Sequence, residues 1–278
     1  MVFERQKFET ALQAVREQLS LYGEPINLAQ LQGIPIHLFE TLRSTNQTLW
    51  ELLDRGASAG TVVIAAQQTA GRGQWGRQWQ SSKGGLYLSL ALAPNLQASN
   101  SAQLTFCSAW GIATALRAYS IPVFLKWPND LLLKGRKLGG ILTETRVQQG
   151  QISKAVVGVG INWSNSVPDL GITLQSFCEE QLSPSVASLE MLAAIVLQGL
   201  HLGYLYWSEK GIEILLKSYL ELLDNQGGHV VVEGNPGVIA GISPTGELRV
   251  CLNPTVAASL TPNEICLKPG TISLGYRY

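Results

Sequence analysis

Apolar residues recur at helical spacing at Phe8, Leu12, Val15 and Leu19, which predicts an amphipathic helix over residues 7–19. The pattern then shifts. Ile36-His37-Leu38-Phe39 and the runs at 61–67 and 86–92 read as strands, and Leu49, Trp50, Leu52 and Leu53 form a helix after Ser44-Thr45-Asn46-Gln47. A buried helix is predicted over 102–119, short strands over 122–127 and 131–134, and a strand pair over 138–147 and 154–163 about the turn Gln149-Gly150. Two helices over 187–223 are expected to break near Ser208 and Gly211. After Asp224-Asn225-Gln226-Gly227-Gly228 the texture changes to closely spaced β segments at 230–232, 238–242, 247–250 and 265–267. Such spacing suggests a small barrel. The expectation is an α+β chain with a mixed β-sheet flanked by helices over 1–225 and a small β-domain over 226–278.

Twenty basic and twenty acidic side chains cancel, so the chain lacks the basic excess of a nucleic-acid binder. Hydrophobic residues at 46% and charged residues at 14% suit a compact enzyme. The start, Met1 to Lys7, is charged and does not read as a signal peptide. The most apolar segment, 191–207, contains Gln198 and His201 between Glu190 and Glu209, and is expected to be a buried helix, not a membrane span. Cys107, Cys178, Cys251 and Cys266 are scattered, which fits free thiols in a reducing cytoplasm and gives no zinc site.

Candidate chemistry is concentrated in Gln68-Thr69-Ala70-Gly71-Arg72-Gly73-Gln74-Trp75-Gly76-Arg77-Gln78-Trp79, a glycine-rich loop between two strands. Glycine admits close approach to the backbone, arginine offers a donor fork to carboxylate or phosphate, and tryptophan stacks on flat rings. A planar ligand with an anionic group fits, under a lid that orders when the anion arrives. Ser44-Thr45-Asn46-Gln47 reads as a capping box whose polar side chains can also meet a ligand head. In Lys126-Trp127-Pro128-Asn129-Asp130, the lysine ends an apolar strand and needs a partner, while Asp130 could hold Mg²⁺ beside a phosphate. Lys137 enters a strand ahead of Gly139-Gly140. Gly158-Val159-Gly160-Ile161-Asn162 lacks the third glycine of a dinucleotide fingerprint, so its glycines point to close approach of a backbone or ligand.

In this order and spacing, the five motifs resemble those of the biotin protein ligases, over roughly residues 36–270. The resemblance implies a class II aminoacyl-tRNA synthetase-like mixed sheet and a C-terminal SH3-like β-barrel. It implies biotin and ATP with Mg²⁺ as reactants, biotinyl-5′-AMP as intermediate, and a lysine of the biotin carboxyl carrier protein of acetyl-CoA carboxylase as acceptor. Lys137 and Arg72 are the implied catalytic cations. Ser44, Thr45, Asn46, Gln68, Arg72, Gly73, Gln74, Lys137, Gly158 and Gly160 are implied to bind biotin, the two glycines of 158–160 as an apolar wall. Arg77, Trp79, Lys126, Asn129, Asp130 and Asn162 are implied around the nucleotide, with Asn162 facing adenine, Trp79 closing over it and Asp130 at the metal. The usual second arginine of the family's Gly-Arg-Gly-Arg loop is Gln74 here, and Arg77 or Lys137 is expected to compensate. Fewer than forty residues precede the first catalytic strand, so a monofunctional enzyme without a DNA-binding domain is expected, cytoplasmic, with no nucleic-acid or membrane partner and a homodimer left open. The alternative is a lipoate or octanoate ligase or transferase of the same fold.

Overall fold

The computed structural model describes residues 3–19, 35–181, 185–253, 263–272 and 274–275. The Leu19 side chain, expected on the first helix's apolar stripe, lies outside that set. Helix α1 spans Arg5–Leu19, and its Phe8, Leu12 and Val15 are buried as their spacing predicts. Strand β1 (Ile36–Leu42) pairs in parallel with β2 (Val62–Gln68), and helix α2 (Thr45–Asp54) makes the crossover between them. From β2 onward the main sheet is antiparallel: β2 pairs β3 (Gly85–Leu92), and β3 pairs β8 (Gln151–Asn162). Strand β8 pairs β7 (Arg136–Gln148), which continues to β6 (Asp130–Leu133) and β5 (Phe124–Lys126). The two-residue β4 (Leu96–Gln97) pairs the outer end of β8 and is not signalled by periodicity.

Period-two alternation divides the sheet's side chains between two cores. Val62, Ile64, Leu86, Leu88, Leu90, Val157, Val159 and Ile161 belong to the large core. That core includes helices α3 (Ala102–Ala118) and α5 (Leu189–Lys210), which pack against one another. Val63, Ala91 and Val156 meet Leu49 and Leu53 of α2 in a smaller cluster on the opposite face. Helix α5 is long and apolar enough to cross a membrane by composition alone, but 72% of its most apolar window is buried within the fold. The expected break near Ser208 does not occur. Ser208 stays helical with its hydroxyl donating to the Leu205 carbonyl, and α5 ends at Gly211, where φ is +78°.

Helix α4 (Leu174–Glu179) precedes α5, and α6 (Ile212–Glu221) follows it. Beyond α6, the Leu222 carbonyl accepts from the Leu125 amide and the Asp224 amide donates back to Leu125, covering the free edge of β5. The chain then forms a second, antiparallel sheet: β9 (His229–Val232), β10 (Asn235–Ile242), β11 (Leu248–Leu252) and β12 (Asn263–Leu267), in the order β12-β11-β10-β9. Its Ile239, Leu248, Val250 and Leu267 join the large core. Among the described residues β9 and β12 are edges, so the sheet is not closed into a barrel there.

Candidate functional site

The cleft opens on the α2 face of the sheet where side chains are missing. Cross-strand partners share a face, and Gly140 pairs with Gly160 and Leu142 with Gly158. Next to these bare positions stand Val156 and Glu144, also paired. A cleft of about 510 Å³ results. It is lined by every residue expected in the site except Asn162.

The start of α2 forms one wall. Ser44 occupies the N-cap position, but its side chain makes no capping hydrogen bond, so the expected capping box does not form. Gln47 instead donates to Glu51. The orphan amide of Thr45 is satisfied by Gln68 Oε1 at 2.8 Å, which also accepts from the Thr45 hydroxyl at 3.2 Å. Gln68 Nε2 then donates to Ser81, whose hydroxyl donates to the Trp79 carbonyl. One glutamine thereby joins the helix start to the glycine-arginine loop. Asn46 is 3% exposed. Its Oδ1 accepts from Ser89 at 2.6 Å, and its Nδ2 donates to Glu144 at 2.9 Å and to the Leu142 carbonyl at 3.3 Å.

The loop from Gly71 to Trp79 is a closed lobe. The Gly73 amide donates to the Arg77 carbonyl, the Trp79 amide donates to the Gly71 carbonyl, and Arg72 bridges Gln78. Trp75 at its tip has φ +53° and is 55% exposed, with its ring against Gly270 of the C-terminal segment and the Arg77 guanidinium 5.8 Å from the ring centre. Trp79 lies flat on β8. Its indole occupies the space above Gly160, and its Nε1 is buried there without a hydrogen-bond partner among the described residues. The Asn46 amide covers Gly158 in the same way. The two glycines therefore make room for protein groups, instead of forming the expected bare apolar wall.

Two cations of the cleft each hold a carboxylate of the chain. Arg72 pairs with Glu144 at 2.9 Å, and Lys137 pairs with Asp130 at 2.6 Å while its ammonium lies 5.3 Å from the Trp79 ring centre. The Lys137 backbone is pinned from outside the sheet, its amide donating to Leu170 and its carbonyl accepting from Ile172. A register shift between Leu131 and Leu132 sets Lys137 opposite Leu132 at the mouth of β7. Asn129 braces the adjacent turn by donating to the Ile141 carbonyl at 2.7 Å. Lys126 is 6% exposed, and burial holds its ammonium below the ordinary value against the opposing pull of Asp130. Arg77 completes the cationic set.

Asn162 is the exception. The same alternation as Gly158 and Gly160 points it toward the cleft, but β8 ends there. Its Nδ2 donates to the Lys137 carbonyl at 3.4 Å and its Oδ1 accepts from Asn165 at 3.1 Å, so it braces the strand end, not the cleft wall. Asp130 does not fit a resident Mg²⁺. Among the described residues it is the single carboxylate lining the cleft, it is paired to Lys137, and no group of three metal-ligating side chains occurs. Unforeseen in the lining are Ile141, Leu142 and the C-terminal residues Gly270, Thr271, Ile272 and Leu274, and Glu144 stands behind it as the partner of Arg72.

The fold is shared with solved structures. A biotin protein ligase from Aquifex aeolicus, solved in complex with biotin and ATP, superposes with a TM-score of 0.68 at 26% identity, covering 87% of this chain and 99% of that one. Residues 38–162 match the Biotin/lipoate A/B protein ligase family. Among curated relatives, a bifunctional ligase/repressor from Bacillus subtilis is 37% identical over 145 residues, 50% of this chain and 45% of its own length. A biotin–[acetyl-CoA-carboxylase] ligase from Paracoccus denitrificans is 37% identical over 131 residues, 46% of this chain and 54% of its own. The chain thus spans about half the length of these two relatives.

Proposed function

We propose that the chain adenylates biotin with ATP and transfers the biotinyl group to a lysine of the carrier domain of acetyl-CoA carboxylase. The observation that carries this reading is the meeting, in one cleft, of the polar start of α2 with Arg72, Arg77, Lys126 and Lys137. The first half of that surface suits a neutral polar head and the second suits anions.

In the first step a biotin carboxylate oxygen attacks the α-phosphorus of ATP, and pyrophosphate leaves. Charge accumulates on the phosphoryl oxygens, and fixed cations in a sheltered site stabilise it without reorganising. Arg72 and Lys137 are already aligned by Glu144 and Asp130, and their remaining N–H donors serve the substrate oxygens. In the second step the acceptor amine attacks the acyl carbon of the mixed anhydride. AMP leaves, an amide forms, and the amine loses its proton. Mg²⁺ would arrive on the nucleotide phosphates, where it keeps much of its own hydration. Gln74 leaves retention of the adenylate to Arg77 and Lys137.

Labelled biotin and lipoate, each offered with ATP and carrier domain, test the reading. Biotin alone should be transferred, and transfer of lipoate would favour the alternative ligase. Arg72→Ala and Lys137→Ala should each lower adenylate formation by about 10²–10³-fold, as for loss of one preorganised donor. Both side chains are partly exposed, so the melting temperature should hold. Parallel loss of folding and activity would remove their catalytic assignment.

A further inference from the structure

We propose that Glu144 is a positioning residue for this site, resting on the biotin-ligase reading above. A single oxygen, Oε2, accepts from Asn46 Nδ2 and from an Arg72 terminal nitrogen, both at 2.9 Å. A carboxylate accepts and never donates when ionised, so the NH₂ side of Asn46 must face Glu144. The Leu142 carbonyl, also acceptor-only, draws the same NH₂ group from 3.3 Å. The amide oxygen of Asn46 is thereby turned to the buried Ser89 hydroxyl and over Gly158, at the cleft lining. The ligand group that meets Asn46 is accordingly a hydrogen-bond donor, such as a urea N–H.

The same oxygen latches the loop. Arg72 is 45% exposed and is joined to the sheet through Glu144. Glu144 therefore couples the end of the cleft that reads the neutral head to the end that receives the anion. Its place is set by β7, where Gly140, Leu142 and Glu144 succeed one another on one face. Glu144 itself lies outside the cleft lining, so it acts through Asn46 and Arg72.

The test is a swap across the 2.9 Å contact. Glu144→Ala removes an acceptor from two donors, and hydrogen bonds to charged groups contribute enough that biotin affinity by calorimetry should fall about tenfold or more. Glu144→Gln keeps an acceptor oxygen and should stay within about threefold of the parent. Asn46→Asp sets two carboxylates face to face and should cost at least about tenfold. Combining Asn46→Asp with Glu144→Gln restores a donor–acceptor pair and should recover about fivefold or more of that loss, a coupling that a packing role would not produce. An unchanged affinity in Glu144→Ala, or a double variant no better than Asn46→Asp, overturns the proposal. A second readout needs no ligand: freeing Arg72 should speed tryptic cleavage at Arg72 and Arg77 in Glu144→Ala by about fivefold. Equal cleavage overturns the latch. If the parent ignores biotin, the ligase reading fails while the cleavage comparison still decides the role of Glu144.

Discussion

A methyl group on Gly158 would lie 2.1 Å from the Asn46 amide oxygen, and one on Gly160 would lie 2.4 Å from the Trp79 indole nitrogen. Neither neighbour is a flexible side-chain end. Asn46 is held by three hydrogen bonds, and Trp79 is hemmed in by the loop behind it. Gly158→Ala should therefore push Asn46 off β8 and weaken biotin binding by about tenfold, at the scale of core overpacking. Calorimetry beside a thermal melt checks this, and unchanged affinity would show that the amide is free to move. The alternating glycines announce a close neighbour in the sequence, but nothing local says which residue it is. Glu144 carried a fainter signal, the period-two step from Gly140 through Leu142. Asn162 obeyed that period and still left the cleft, because the strand ended and Asn165 claimed its oxygen. Lys126 offers another residue-scale test. Burial lowers its pKa, and phosphate oxygens beside it would raise it again, so nucleotide binding should take up protons between that depressed value and the ordinary 10.5. Calorimetry in buffers of different ionisation enthalpy measures the uptake, and buffer-independent heats below pH 10.5 would exclude it.

At the scale of elements, the crossing of α3 and α5 is closer than side chains permit. A Cβ on Gly203 would sit 1.9 Å from the Cys107 carbonyl oxygen, and one on Gly111 would sit 2.1 Å from that of Gly199. Alanine favours a helix over glycine by about 1 kcal/mol. The clash here is with backbone, which can yield only by separating the helices, so the steric cost wins. Gly203→Ala should destabilise the fold by about 2–3 kcal/mol in urea titrations, and a neutral or stabilising result would mean the helices can slide. Long elements were legible because burial repeats along them: Phe8, Leu12 and Val15 on α1, and the alternating runs of β2, β3 and β8. Helix α5 was legible as buried because Gln198 and His201 interrupt an otherwise membrane-like composition. Helix α4, with six residues, and β4, with two, are too short to show a period. The true end of α5 depended on a single left-handed glycine, which sequence could not rank above Ser208.

The molecule as a whole is assembled from pieces far apart in sequence, and that was least legible of all. Gly270, Thr271, Ile272 and Leu274 line the cleft although no motif marks them, and Trp127, also in the lining, donates to the Gly246 carbonyl of the second sheet at 3.0 Å. Stability belongs to this scale, and one buried group gives it a pH dependence. Desolvation, aided by the charge of Arg16, pushes His201 down to about 4 from its ordinary 6.5. Between those values the unfolded chain binds more protons than the folded one. Stability is therefore full above pH 6.5 and falls as the pH drops toward 4, by about 3 kcal/mol for a shift of this size. The carboxylates of Glu40, Asp54 and Glu264 are held below their ordinary values by hydrogen bonds from Lys83, Arg146 and Arg249. Their contribution is lost only as the pH falls below the ordinary carboxylate range, so the interval from 6.5 to about 4.5 isolates His201. Urea unfolding across that interval should show the parent weakening steadily while His201→Leu stays flat. A parent equally stable at both ends would mean that the imidazole accepts its proton without leaving the core.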